Sequence, residues 1–258
     1  IHGGKSKNDK IDSKKIATLL RGGNIPMAYV YPRKMRSTRD LLRRRNHLMR
    51  KRSELLAHIQ NTNSQYNLPE FGKKLAYKAN REGVAEHFPD PSVSKSIEVD
   101  LQLLDFYDLL LNDLELYIVK KAKVDDAYSW YRLRSIPGVG KILGLILLYE
   151  IHDIKRFPRV QDFVSYCRLV KCPRESAGKK FGTKNSKIGN AHLKWAFSEA
   201  ACLFLRGNEQ AQHYHARLVS KYGKGKALSI LAHKIGRAAY FMLKRKEPFS
   251  MKVFFNET

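Results

Sequence analysis

Ser176 stands in the segment Cys-Pro-Arg-Glu-Ser-Ala-Gly-Lys-Lys-Phe-Gly-Thr-Lys-Asn-Ser-Lys, residues 172–187, among Arg174, Lys179, Lys180, Lys184 and Lys187. A serine hydroxyl attacks phosphorus when its proton is removed and cations stabilise the charge that develops. Five cations around one serine would equally serve to grip a phosphate, and the loop itself does not separate the two chemistries. Ser186 is a second hydroxyl in the same loop. Far upstream, Lys7-Asn8-Asp9-Lys10-Ile11-Asp12 sets two carboxylates at i, i+3, one face of a first helical turn. Mg²⁺ takes one or two such carboxylates together with waters and substrate phosphate. Acids at a first turn also simply oppose the helix dipole.

A third constellation is Arg134-Ser-Ile-Pro-Gly-Val-Gly-Lys141, followed at once by the apolar run Ile142–Tyr149. A Pro-Gly-x-Gly turn between two helices is the pattern of a helix-hairpin-helix. Gly138 and Gly140 would let backbone N–H groups approach a phosphate, with Lys141 beside it. Such a turn grips the nucleic-acid backbone without reading bases. The same residues would also make a plain corner between helices. Gly223-Lys224-Gly225-Lys226 lacks the spacing of a nucleotide-binding P-loop.

Composition favours the nucleic-acid reading. The 258 residues hold 49 Lys and Arg against 24 Asp and Glu, a net charge of +25. That charge repels itself unless a polyanion screens it. Nucleic acid is the expected polyanion, ahead of an acidic membrane surface. The run Ile142–Tyr149 is far shorter than a bilayer span. No signal peptide is visible, and with Ile at position 1 the chain is expected to begin inside a longer reading frame. Cys167, Cys172 and Cys202 form no CxxC pair and fit a reducing cytoplasm. His213 and His215, at i, i+2, point to different helix faces and make a poor zinc pair.

The elements that must position these groups are mainly helical. Asp12–Leu20 predicts a short helix stopped by Gly22-Gly23, and Met27–Tyr31 a strand ended by Pro32, together the tail of an α/β unit over residues 1–32. Residues 33–65 predict one long helix with Leu41/Leu42, Leu48/Met49 and Leu55/Leu56 recurring every seven residues. Its first twenty residues carry ten Lys or Arg and one acid, Asp40, so Arg43, Arg44 and Arg50 are expected to meet nucleic acid. Residues 66–92, punctuated by proline and glycine, predict an irregular connection. A second long helix is expected over 93–123, acidic, with Ile97, Leu104, Leu111 and Ile118 seven apart. Two heptad helices of opposite charge should pair, within the chain or across a dimer, and a dimerisation stalk over 33–124 is the preferred expectation. Residues 125–258 predict a compact helical domain. Its helices follow the glycine turn near Val160–Tyr166 and over 190–206, 209–221 and 226–246, with Asn190 as an N-cap and Gly207 as a stop.

The order of these pieces carries more than any one of them. A Lys-x-Asp-x-x-Asp pair, a long helical stalk, Ile-Pro-Gly-x-Gly, then Arg-Glu-Ser and Ser186-Lys-Ile-Gly-Asn190 resembles the DEDD transposases of the bridge-RNA-guided insertion sequences, the insertion-sequence 110/116/902 type. The resemblance runs from Lys7 to about Phe249. It implies a RuvC-like domain with four acids and a separate transposase domain with a serine nucleophile. Asp9 and Asp12 match the last two acids and Ser176 the nucleophile; the other two acids belong to strands upstream of residue 9. It further implies Mg²⁺, DNA, a structured guide RNA from the element's end, and a homo-oligomer, dimer or tetramer, with a site shared between subunits. These residues alone are then expected to bind nucleic acid without cutting it. Two other classes stay open on the residues themselves: a non-catalytic, structure-selective nucleic-acid-binding protein, and a metal-dependent nuclease or junction resolvase in which water attacks.

Overall fold

The computed structural model describes residues 8–25, 28–170, 173–176, 179–183 and 188–255, with the backbone alone for most of the segment 173–183. The chain divides into two compact units, Ile1–Pro32 and Arg33–Thr258. In the first, helix α1 spans Asp9–Arg21. The Asn8 side chain caps it by accepting the Ile11 N–H at 2.9 Å, and Gly23 beyond its end has φ +64°. The strand expected over Met27–Tyr31 does not form in the described residues 28–31. A strand is defined by its ladder, and the sole ladder among the described residues lies elsewhere.

The second unit opens with α2, Arg33–Gln65, and α3, Pro91–Arg134. Arg45 pairs with Glu115, Arg52 with Asp108 and His58 with Asp100, so the two helices run antiparallel. Opposite charge and heptad periodicity thus act together. Ile97, Leu104 and Ile118 are fully buried, as is nearly all of Leu111, and from α2 come Leu42, Leu48 and Ile59. This corrects the expected intermolecular seam, for its apolar residues are consumed inside one chain. The connection between the helices is irregular, as expected, yet it is packed: Leu75, Val84 and Phe88 form a small core with Ile59, Ile97 and Leu104. Asp90 starts α3 by accepting the N–H groups of Ser92 and Val93.

Helix α3 runs past the expected end at 123. Its backbone breaks at Asp126 (φ −163°, ψ 81°), whose carboxylate caps the following turns by accepting the Ser129 N–H. The turn 135–140 then leads into α4, Lys141–Ile151, and α5, Val160–Tyr166. After these come strands β1, Pro173–Ser176, and β2, Lys179–Thr183, then α6, Ala191–Phe204, α7, Glu209–Tyr222, α8, Lys224–Arg245, and α9, Met251–Phe255. The fold is mainly α. The serine segment, expected as a loop, holds a two-stranded antiparallel ladder, and α9 has no counterpart in the sequence reading. Every residue of α4 from Leu143 to Ile151 is buried, as a helix in the middle of a core must be. Around it pack Phe163, Phe197, Phe204 and Tyr240, each contributing about 1.5–3 kcal/mol on burial.

Candidate nucleic-acid interface and serine loop

The glycine turn has two faces. Gly138 has φ +81°, and a Cβ there would lie 2.6 Å from the Phe204 backbone nitrogen and 2.7 Å from the Leu203 carbonyl carbon. The missing side chain is therefore demanded by close packing on the end of α6, a correction to its expected role of giving room to a phosphate. Gly140 differs. It is the N-cap of α4, no side chain caps the first turn, and nothing lies within 4 Å of a Cβ placed on it. Free N–H groups and the positive end of the helix dipole are thus open at this point. Lys141 beside it is half-exposed, but its ammonium already meets the Glu115 carboxylate at 3.0 Å, which Arg45 also holds at 2.6 Å. Burial pushes the Glu115 carboxyl up, and the bonds from Lys141 and Arg45 outweigh it, leaving it below its ordinary value. A phosphate at this turn would compete with Glu115 for Lys141.

Ser176 ends β1, paired with Lys179, and Glu175 is paired with Lys180. Arg174 lies on the same strand; Lys184, Ser186 and Lys187 lie outside the described residues. Residues 188–190, further along the chain, are held from both sides. The Asn190 N–H donates to the Tyr166 carbonyl at 2.6 Å, and Arg168 Nε donates to the carbonyls of Ile188 and Gly189. Gly189 has φ +95°, and a Cβ on it would lie 2.6 Å from the Tyr166 oxygen. Only glycine fits there.

Asn190 then does three things at once. Its Oδ1 accepts the N–H groups of His192 and Leu193, starting α6 as the sequence predicted, while its Nδ2 donates to Glu150 Oε2 at 2.7 Å. Glu150, with its side chain 2% exposed, accepts two bonds from Arg43 at 2.7 and 2.8 Å. Burial pushes its carboxyl up, but Arg43 and Asn190 donate to the charged form and hold it below the usual carboxylate value. Arg43, expected on nucleic acid, is therefore bound to the core. Arg44 and Arg50 are exposed. Burial lowers the His192 pKa; Glu150 opposes this, and the charges of Arg43, Arg50 and Arg39 add to the lowering. The basic face of α2 and the start of α6 thus share one electrostatic environment. Sequence reasoning missed Glu150. Its signal was a lone acid at the end of the apolar run from Ile142, where a carboxylate must find a partner.

Asp9 and Asp12 sit on the first turn of α1, Asp9 exposed and Asp12 half-exposed. Neither forms an ion pair among the described residues, so both carboxylates are available to a hard cation. The donor set suits Mg²⁺ with waters and phosphate completing the shell. Among the described residues no three His, Cys, Asp or Glu side chains group closely enough to hold a metal by themselves.

A basic helical fold with a glycine turn and a serine among lysines suits the binding of nucleic acid. Residues 131–216, from the helix before the glycine turn into α7, match the family described as the transposase IS116/IS110/IS902 family. The whole chain is similar to the transposase for insertion sequence element IS1111A of Coxiella burnetii (strain RSA 493 / Nine Mile phase I). The two are 24% identical over 260 residues, covering 95% of this chain and 68% of the relative. Both findings make the chain similar to transposases of this kind, in agreement with the resemblance that its ordered motifs carry. No described helix is long and apolar enough to cross a membrane.

Proposed function

We propose that this transposase breaks and rejoins DNA through Ser176, guided by a structured RNA from the element's end. The observation that carries the proposal is the placement of Ser176. It ends a strand opposite Lys179 on a basic two-stranded hairpin, and further along the chain Asn190 is bonded to the buried Glu150. A paired strand sets the backbone position of a nucleophile, as in-line attack on phosphorus requires. In the reaction the Ser176 oxygen attacks phosphorus, its proton leaves, and the P–O bond to the departing strand end breaks. The phosphoserine link preserves the bond energy for rejoining. Arg174, Lys179, Lys180, Lys184 and Lys187 stabilise the negative charge that builds on the phosphate oxygens. Asp9 and Asp12 would hold Mg²⁺, which when bound would supply positive charge to phosphate oxygens. Gly140, the first turn of α4, Arg44 and Arg50 hold nucleic-acid backbone.

A second copy of the chain belongs to this proposal. Helix α3 carries a second heptad stripe that α2 does not cover: Val99, Leu103, Phe106 and Leu110 at intervals of four, three and four, continued at Tyr117 and Val124. All but Leu110 are exposed. An uncovered stripe of this period is what a partner helix packs against. The proposal is tested by strand exchange between labelled donor and target DNA with Mg²⁺ and the transcript of the element's end, using a protein extended upstream to supply the two further acids that the resemblance implies. Exchange should require the RNA and should be lost in Asp9→Asn and Asp12→Asn. Exchange that proceeds equally without the RNA would remove the guided step, and exchange unchanged in both Asn variants would remove the metal assignment.

A further inference from the structure

One face of α8 presents Lys234, Arg237, Phe241 and Arg245 at intervals of three, four and four, and they line a cavity of about 320 Å³ closed on its other side by Phe249 and Phe254. The Arg245 guanidinium lies over the Phe241 ring at 5.2 Å, and the Lys234 ammonium lies 4.9 Å from the centre of Phe254. Among the described residues none of the three cations meets a carboxylate within 4 Å, although Glu247 also lines the cavity. Phe254 is buried and Phe241 half-buried, and cations beside such rings at the mouth of a cavity suit a planar group that carries negative charge. The volume is at the lower end for small-ligand sites, enough for a single nucleotide and far too small for a duplex.

The cavity wall is joined to the glycine turn. Arg132 Nε donates to the Lys246 carbonyl at 2.8 Å, and the Phe249 N–H donates to Ser135 Oγ at 2.8 Å. Arg132 and Ser135 lie immediately before Pro137-Gly138. Backbone held at the start of α4 therefore has a fixed relation to this pocket.

We propose that the cavity is a subsite for one unpaired nucleotide of a single strand, its base against Phe241 and its phosphate on Arg237 and Arg245. The inference rests on the reading of the chain as a nucleic-acid-binding protein and on nothing in the serine chemistry. An unpaired base offers a face for stacking that a paired one keeps inside its helix, so the subsite distinguishes single strands from duplexes without reading sequence.

Fluorescence anisotropy with labelled DNA and RNA single strands of about 12 nucleotides, within the usual footprint of a stacking groove, and with a duplex of the same sequence, tests it on the intact chain. Phe241→Leu keeps an apolar side chain for packing and removes the stacking face. It should weaken single-strand binding about tenfold, the loss of one stacked base, and leave duplex binding within about twofold of wild type, below the cost of one stacked base. Arg237→Gln, on the helix surface, should flatten the salt slope for single strands by about 0.7, the value of one phosphate contact. A loss confined to RNA or to DNA names the source of the strand. Equal losses on single strands and duplex, or single-strand affinity unchanged in both variants, would overturn the subsite while leaving duplex binding, and so the broader reading, intact. Failure of the wild type to bind any of the three would overturn the broader reading itself.

Discussion

Arg43 on α2 reaches the buried Glu150 on α4 with two parallel hydrogen bonds, at 2.7 and 2.8 Å. This pair links the helical hairpin of the stalk to the start of α6, because Asn190 donates to the same carboxylate. Glu150→Gln should therefore destabilise the fold by about 2 kcal/mol, in the range of hydrogen bonds to charged groups. The native carboxyl lies below its ordinary value of 4.5. Its contribution is thus present above that pH and lost as pH falls through the lower native value. Urea denaturation at neutral and acid pH should show the wild type approaching the variant in acid. A variant equally destabilised at every pH would assign the effect to packing instead.

The two glycines of the turn should separate cleanly. Gly138→Ala places a Cβ against the α6 backbone at φ +81°, combining left-handed strain with overpacking, and should cost about 2–4 kcal/mol. Gly140→Val enters open space and should leave the midpoint of thermal unfolding nearly unchanged while weakening duplex DNA binding several-fold. Unchanged DNA affinity in a folded Gly140→Val protein would remove the turn from the interface.

Much of this architecture was legible because its periodicities are strong. The apolar heptad at Ile97, Leu104, Leu111 and Ile118 gave α3, and Asn190 gave the start of α6. What periodicity does not carry is the partner. Leu42, Leu48 and Ile59 present the same stripe whether the facing helix belongs to this chain or to another, so the intermolecular seam was misplaced. The Met27–Tyr31 strand was read from β propensity, which has no force without a ladder. Gly138 looked like a phosphate turn because tight packing and phosphate approach both demand glycine, and only the position of Phe204 separates them. Arg43 was one of ten cations in twenty residues, and nothing local marked it as the one facing a buried acid.

His192 should make nucleic-acid binding proton-linked. Burial, with the nearby charges of Arg43, Arg50 and Arg39, lowers its pKa below 6.5 despite the opposing Glu150, so the free protein keeps it neutral at pH 7. Phosphates bound at the exposed Arg50 would offset its charge, raise the value and draw in a proton. Affinity should then rise as pH falls from 7.5 toward 6, by less than about tenfold for each pKa unit regained. His192→Asn should flatten that slope. A slope unchanged in the variant would place the phosphates away from α6.

The uncovered stripe on α3 should hold a second copy of the chain. Phe106 is 56% exposed, so Phe106→Asp does not disturb the monomer core. Light scattering should show the mass of the wild-type assembly halved or reduced further in the variant, with helicity by circular dichroism unchanged. The same mass in both proteins would place any oligomer contact elsewhere.

The central claim is that Ser176 becomes covalently joined to DNA. End-labelled DNA from the element's terminus, incubated with the protein extended upstream to supply the other two acids, Mg²⁺ and the element's RNA and then run on a denaturing protein gel, reads this directly. Wild type should give a labelled band at the mass of protein plus DNA, and Ser176→Ala should give none while binding the same DNA with nearly unchanged affinity. An equal band in the Ala variant would move the nucleophile, with Ser186 the next hydroxyl to test. Metal-dependent cleavage by the wild type with no adduct would contradict the account outright, because water would then be the attacking group.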